Sequence, residues 1–121
     1  MIKAKFSDEK NNVEDLYRAA ENGNIEAQYN LGWIYEKGEG TEKNLEVAFH
    51  WYEKAAENGN IDAQYNLGYL YEKGEGTKKD LEKAFYWYQK AAENGSLNAK
   101  YNLGYLYENG EGIERNLMEP E

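Results

Sequence analysis

Few side chains in this 121-residue sequence could do chemistry, and their spacing does not bring them together. His50 is the only histidine, and it falls among Glu46, Glu53 and Glu57, opposite the apolar stripe of its segment. An imidazole there is a solvated surface group. Ser7, Thr41, Thr77 and Ser96 are the only small hydroxyls, and no base is spaced to activate any of them as a nucleophile, so a hydrolytic triad is not expected. Cysteine is absent, which removes thiolate chemistry, disulfides and thiolate metal sites. The acidic residues are numerous, yet none follows the spacing of a calcium loop. Gly-Glu-Gly occurs at 38–40, 74–76 and 110–112. A phosphate cradle would follow a strand, without an acid between its glycines, so these runs read as loop closures. The sequon Asn94-Gly95-Ser96 sits at what reads as a tight turn between helices and is discounted. No enzyme, cofactor or metal is expected from this set.

The charge balance excludes further classes. A formal net charge of −9 and a pI near 4.7 argue against a phosphate-backbone binder, which needs clustered Lys and Arg, and against an anionic membrane surface. The residues at 1–8 contain no apolar run that could serve as a leader, and no stretch approaches a membrane span, so a cytoplasmic protein is the expectation. Aromatic residues make up 15%, at regular helical spacing, which separates the chain from disordered acidic sequences.

The elements that position these residues come from a repeat. The string from Ala55 to Gly76 recurs with few changes from Ala19 and from Ala91, and Tyr29, Tyr65 and Tyr101 keep the same step of 36 residues. A fixed period of this size marks an array whose units bury their apolar faces against one another. Leu45, Ala48, Tyr52, Ala55 and Ala56 fall on one arc of a helix, with Phe49 and Trp51 at its edges. Asn44, Asp80 and Asp8 stand as N-caps, and Gly59, Gly95 and Gly23 as the left-handed residues that close the other end. The next helix starts almost at once, capped by Asn24, Asn60 or Ser96. Its stripe in the central copy is Ala63, Leu67, Leu70 and Tyr71, and the interior glycines at 32, 68 and 104 predict close helix approach. The chain therefore reads as a single repeat domain over 1–121: an N-terminal capping helix at 8–23, repeats at 24–59 and 60–95, and a partial C-terminal repeat at 96–118. Asn12 and Asp15 replace Ala48 and Trp51 in the first helix, making it polar as a cap should be.

Ala63, Leu67-Gly68, Tyr71, Gly74-Glu75-Gly76, Asp80, Ala84, Trp87-Tyr88, Lys90-Ala91-Ala92 and Gly95 resemble the Sel-one-like repeat, an α-solenoid relative of the tetratricopeptide repeat. The preceding copy carries the same pattern from Ala27 to Gly59, and the likeness covers roughly residues 8 to 117. The resemblance implies an all-α fold, a right-handed α-solenoid of antiparallel helix pairs, and a scaffold or adaptor that binds proteins. It also implies that the first helix of each unit lines a concave surface.

On that surface the i, i+4 pairs Tyr29 and Trp33, Tyr65 and Tyr69, and Tyr101 and Tyr105 would align as a ladder, with Asn30, Asn66 and Asn102 beside it. Some of these rings, Tyr29, Tyr65 and Tyr101 above all, could instead pack between units. Glu26, Asp62, Glu36 and Glu72 would border the groove. An aromatic floor with an acidic rim suits a protein or peptide segment carrying Lys or Arg. After Asn116-Leu117-Met118, Pro120 leaves no room for another long helix. Ala99, Leu103, Leu106 and Tyr107 are therefore expected to form an apolar end face, partly shielded by Ile113, Leu117 and Met118, that pairs two copies or continues into a longer array.

Overall fold

The structure, a computed structural model, describes residues 9–109, with side-chain packing from Val13 onward. The expected cap at Asp8, the side chain of Asn12, the third Gly-Glu-Gly loop and Ile113, Leu117 and Met118 lie outside the described residues.

Among the described residues the chain forms six helices and no strands: α1 (Glu9–Glu21), α2 (Ile25–Lys37), α3 (Leu45–Glu57), α4 (Ile61–Lys73), α5 (Leu81–Glu93) and α6 (Leu97–Asn109). The principal packing runs between helices adjacent in sequence, α1 on α2 through to α5 on α6, as in an α-solenoid. Two units are complete, α2 with α3 and α4 with α5.

Local chemistry sets where each helix starts and stops. Asn24, Asn44, Asn60 and Asp80 are N-caps whose side-chain oxygens accept from the backbone N–H three residues on, at 2.7–3.1 Å. Ser96 does the same for Ala99 N–H at 3.1 Å. At the end of α3, Gly59 takes φ 98°, and the N–H groups of Gly59 and Asn60 donate to the carbonyls of Ala56 and Ala55, both at 3.0 Å. This paired reverse bonding satisfies the last turn and lets Asn60 cap α4 immediately, so the chain folds back within three residues. The same arrangement recurs at Gly23 and Gly95.

The longer connection uses two left-handed glycines, Gly74 (φ 70°) and Gly76 (φ 75°), and closes when Asp80 N–H donates to Tyr71 O at 2.9 Å. A Cβ on Gly76 would run into the Leu45 carbonyl. The Gly-Glu-Gly loops at 38–40 and 74–76 are thus structural closures on helix ends.

The core is a seam of small and large residues in two clusters. Ala48, Tyr52, Ala55, Ala63, Leu67, Ala84, Tyr88, Ala91, Ala99 and Leu106 are all fully buried in a single cluster. A second cluster at the N-terminal end joins Leu16 and Ala20 of α1 to Ala27, Leu31, Ile34 and Trp51. Alanines on the second helix of each unit let it approach closely enough for one tyrosine per unit, Tyr52 or Tyr88, to fill the gap.

Candidate protein-binding surface

The first helices of the units, α2, α4 and α6, carry the residues expected to form the groove, and the structure divides them into two groups. Tyr29 and Tyr65 are half-buried. Their rings lie 5.7 Å from Tyr52 and 5.6 Å from Tyr88, centroid to centroid, in tilted contacts. They fill the junction between the two helices of a unit, the packing role that the spacing also allowed. Burial first, and then the charge of Asp62 on the next unit, raises the pKa of Tyr29.

Tyr69 and Tyr105 are exposed, at 37% and 53%. The Lys73 ammonium stands 5.7 Å over the Tyr69 ring, so that face of the ring already receives a cation. Trp33, at the corresponding position of the first unit, is half-buried and packs against the N-terminal cluster. Tyr101 is 75% exposed, whereas its counterparts Tyr29 and Tyr65 are covered. Glu26 and Asp62 are exposed.

The asparagines and the remaining acids belong to a polar layer beneath this face. Tyr52 Oη donates to Glu36 Oε1 at 2.6 Å, and Tyr88 Oη donates to Glu72 Oε1 at 2.7 Å. Glu36 and Glu72 therefore accept from the core tyrosines, and only 12% of the Glu72 side chain is exposed. Asn66 opposes the rise in pKa of the Tyr29 and Tyr52 hydroxyls, and Asn102 Nδ2 donates to Tyr65 Oη at 3.4 Å. Asn30 is buried. Burial and the carboxylate partner together push the pKa values of Tyr52 and Tyr88 well above the ordinary tyrosine value.

Two residues escaped the sequence reading. Gln28 and Gln64 are almost wholly buried, at 3% and 2%. Gln64 Nε2 donates to Ala56 O at 3.2 Å, and its Oε1 accepts from Asn94 Nδ2 at 3.4 Å; Gln28 joins Ala20 O and Asn58 in the same way. Each glutamine ties two helix C-termini together. The only sequence signal was Lys100 where the third copy would have Gln. Asn94, the sequon asparagine, is engaged in this clamp.

The four residues expected at an end face are not all on it. Ala99 and Leu106 are fully buried in the main core cluster, as Leu70 is one repeat earlier. Leu103 and Tyr107 are half-buried, and Leu103 packs against that cluster. The physical reason is that the apolar stripe of α6 packs back onto the preceding helices, so Ala99 and Leu106 lie on the flank turned into the array. The open flank carries Tyr101, Gly104 and Glu108 instead. Leu106 is thus a core position and not a surface contact.

His50 is exposed beside Trp51, and among the described residues no cluster of three or more His, Asp or Glu could hold a metal ion. No described helix is long and apolar enough to cross a membrane.

Comparison with known proteins gives one consistent answer. The family model for the Sel1 repeat matches residues 25–60, 61–96 and 97–119. Among solved structures, c5321, a protective antigen of uropathogenic Escherichia coli strains displaying an SLR fold, superposes with a TM-score of 0.83 at 38% identity, covering 86% of this chain and 22% of that one. A Sel1 repeat protein from Oxalobacter formigenes gives 0.81 at 42% identity over 85% and 41% of the two chains. Cysteine rich protein B of Helicobacter pylori gives 0.71 at 31% identity over 75% and 68%. The chitin synthase regulator SKT5 of Saccharomyces cerevisiae is 47% identical over 47 residues, 39% of this chain and 7% of that protein. The chain thus spans less than half the length of the antigen, of the Oxalobacter formigenes protein and of the yeast regulator.

Proposed function

Because the chain belongs to the Sel1-repeat family, whose members are generally non-catalytic protein-interaction scaffolds, we propose that it is an adaptor that holds a Lys- or Arg-bearing peptide segment along the exposed face of α2, α4 and α6. The observation that carries this reading is the contrast within one repeated pair of tyrosines. Tyr65 is drawn into the unit by Tyr88, while Tyr69, one turn on, stays exposed with a lysine ammonium over its ring. The repeat keeps an aromatic residue at this site in all three units, Trp33, Tyr69 and Tyr105.

Glu26 and Asp62 edge the same helices, and the overall charge of −9 favours encounter with a basic partner. Asn30, Asn66, Asn102, Glu72, Tyr29, Tyr65 and Tyr101 support this floor from beneath or beside it. The yeast relative's description as a regulator fits an adaptor role.

Selection of a random-sequence peptide display library on the immobilised chain tests the proposal. Enrichment of Lys- or Arg-containing sequences, with affinity that falls as salt rises, is the expected result. Enrichment of acidic or uncharged sequences with salt-independent affinity would contradict it.

A further inference from the structure

Asn-Gly is a dipeptide prone to spontaneous loss of the side-chain amide, because the glycine leaves its backbone nitrogen unhindered. The reaction needs only water. The glycine nitrogen gives up its proton and bonds to the asparagine Cγ, the Cγ–Nδ2 bond breaks with release of ammonia, and water opens the resulting succinimide ring to Asp or to isoaspartate. Asn58-Gly59 and Asn94-Gly95 carry this dipeptide at the ends of α3 and α5. Both asparagines are exposed, so water reaches them.

The structure holds each pair back in three ways. The five-membered ring closes only with Cβ and the glycine nitrogen nearly eclipsed about the Cα–C bond, whereas ψ of 10° at Asn58 and 9° at Asn94 turns the two apart. The glycine N–H groups are occupied, Gly59 donating to Ala56 O and Gly95 to Ala92 O, both at 3.0 Å. The leaving amide is tied as well: Asn58 Nδ2 donates to Gln28 Oε1 at 3.2 Å, and Asn94 Nδ2 to Gln64 Oε1 at 3.4 Å. The first two restraints belong to the helix end itself. The third comes from 30 residues away, from a buried glutamine whose other end is fixed on Ala20 O or Ala56 O.

We propose that Asn58 and Asn94 are latent deamidation sites, restrained by Gln28 and Gln64, and that conversion of either cuts a tie between successive units. Ring closure requires the last turn of α3 or α5 to open, and opening it breaks the glutamine bond. The clamped and the reacting geometries exclude each other. After conversion the carboxylate has no N–H to give, so it meets the glutamine Oε1 acceptor to acceptor. A new negative charge also stands at a helix C-terminus, where it is disfavoured. Isoaspartate adds a methylene to the main chain at the reversal itself. Because units of such an array are held by their neighbours, the loss falls on the joint between those two units.

The test incubates the whole chain at mildly alkaline pH and follows conversion at each site by peptide mapping with mass spectrometry, beside the same chain in urea. Wild type is expected to convert at both sites much more slowly folded than unfolded. Gln28→Ala is expected to speed Asn58 by roughly threefold to tenfold, the worth of one hydrogen bond, with Asn94 at its wild-type rate. Gln64→Ala is expected to speed Asn94 more than Asn58. General loss of stability raises both sites together, so the ratio of the two rates separates the clamp from mere destabilisation. Leu67→Ala, which removes a core side chain and neither amide's partner, supplies that control. An unchanged ratio in either glutamine variant that stays helical, or wild-type rates as fast folded as in urea, would overturn the proposal.

Discussion

The ring of Tyr88 lies so close to Gly68 that a Cβ added at Gly68 would stand 2.7 Å from Tyr88 Cδ1 and 3.3 Å from the Ala84 carbonyl. One glycine thereby sets the spacing of α4 and α5, and Tyr88 is fully buried with no room to give way.

Gly68→Ala is therefore expected to destabilise the chain by about 1–3 kcal/mol through overpacking, less the helix-propensity gain of up to about 1 kcal/mol. Gly104→Ala should show only the gain. Urea denaturation of the two variants checks this. Equal shifts in the same direction would mean that the glycine is not a contact for the tyrosine.

Leu67 is fully buried, whereas Leu103, one repeat later, is half-buried. Leu67→Ala is expected to cost about 2–5 kcal/mol, and Leu103→Ala clearly less, because its cavity is already open on one side. Chemical denaturation that finds the two equal would contradict nearest-neighbour packing along the array.

Gln64→Ala should cost about 1–3 kcal/mol by stripping partners from the Ala56 carbonyl and the Asn94 amide. Lys100→Ala, at the exposed counterpart, should stay within about 0.5 kcal/mol. Thermal unfolding of both variants gives the comparison, and a loss at Lys100 as large as that at Gln64 would mean the clamp is not specific to the complete units.

The core tyrosines predict an alkaline limit. Burial first, and the hydrogen bonds to Glu36 and Glu72 next, raise the folded-state pKa values of Tyr52 and Tyr88. Their contribution is complete below the unfolded tyrosine pKa of about 10 and is lost as pH rises from there toward the folded values. Each group removes about 1.4 kcal/mol per pH unit in that window. A Tyr52→Phe, Tyr88→Phe double variant should therefore lose less stability than wild type between pH 9.5 and about pH 11. Urea midpoints across that range decide it; parallel decline would show that neither phenol is held protonated by the fold.

Much of this architecture was legible in the sequence because a repeat states each local rule more than once. Asn44 and Asp80 as caps, Gly59 and Gly95 as reversing residues, and Gly68 as a close approach each follow from backbone needs that few residue types meet. Pairings between distant residues were harder to read. Gln64 resembles any polar residue on a helix surface, and its burial depends on Ala56 and Asn94, which helical periodicity does not relate to it. Ala99 and Leu106 were placed on the open end because helical periodicity marks an apolar stripe without saying whether the preceding or the following helix covers it. Trp33 looked like an exposed member of the ladder, and it packs instead on the N-terminal cluster, to which the otherwise polar α1 contributes Leu16 and Ala20.

That last difference decides how the groove is best tested. Trp33 contributes to the core, so removing it would confuse folding with binding, whereas Tyr69 and Tyr105 are exposed. The most direct measurement is the affinity of the Tyr69→Ala, Tyr105→Ala chain, by isothermal titration calorimetry, for a peptide selected on wild type, read beside its thermal midpoint. Affinity is expected to fall by about 2 kcal/mol or more, at least roughly thirtyfold, with the midpoint nearly unchanged. Unchanged affinity, or a midpoint that collapses with the substitutions, would contradict the assignment of these rings to a binding surface.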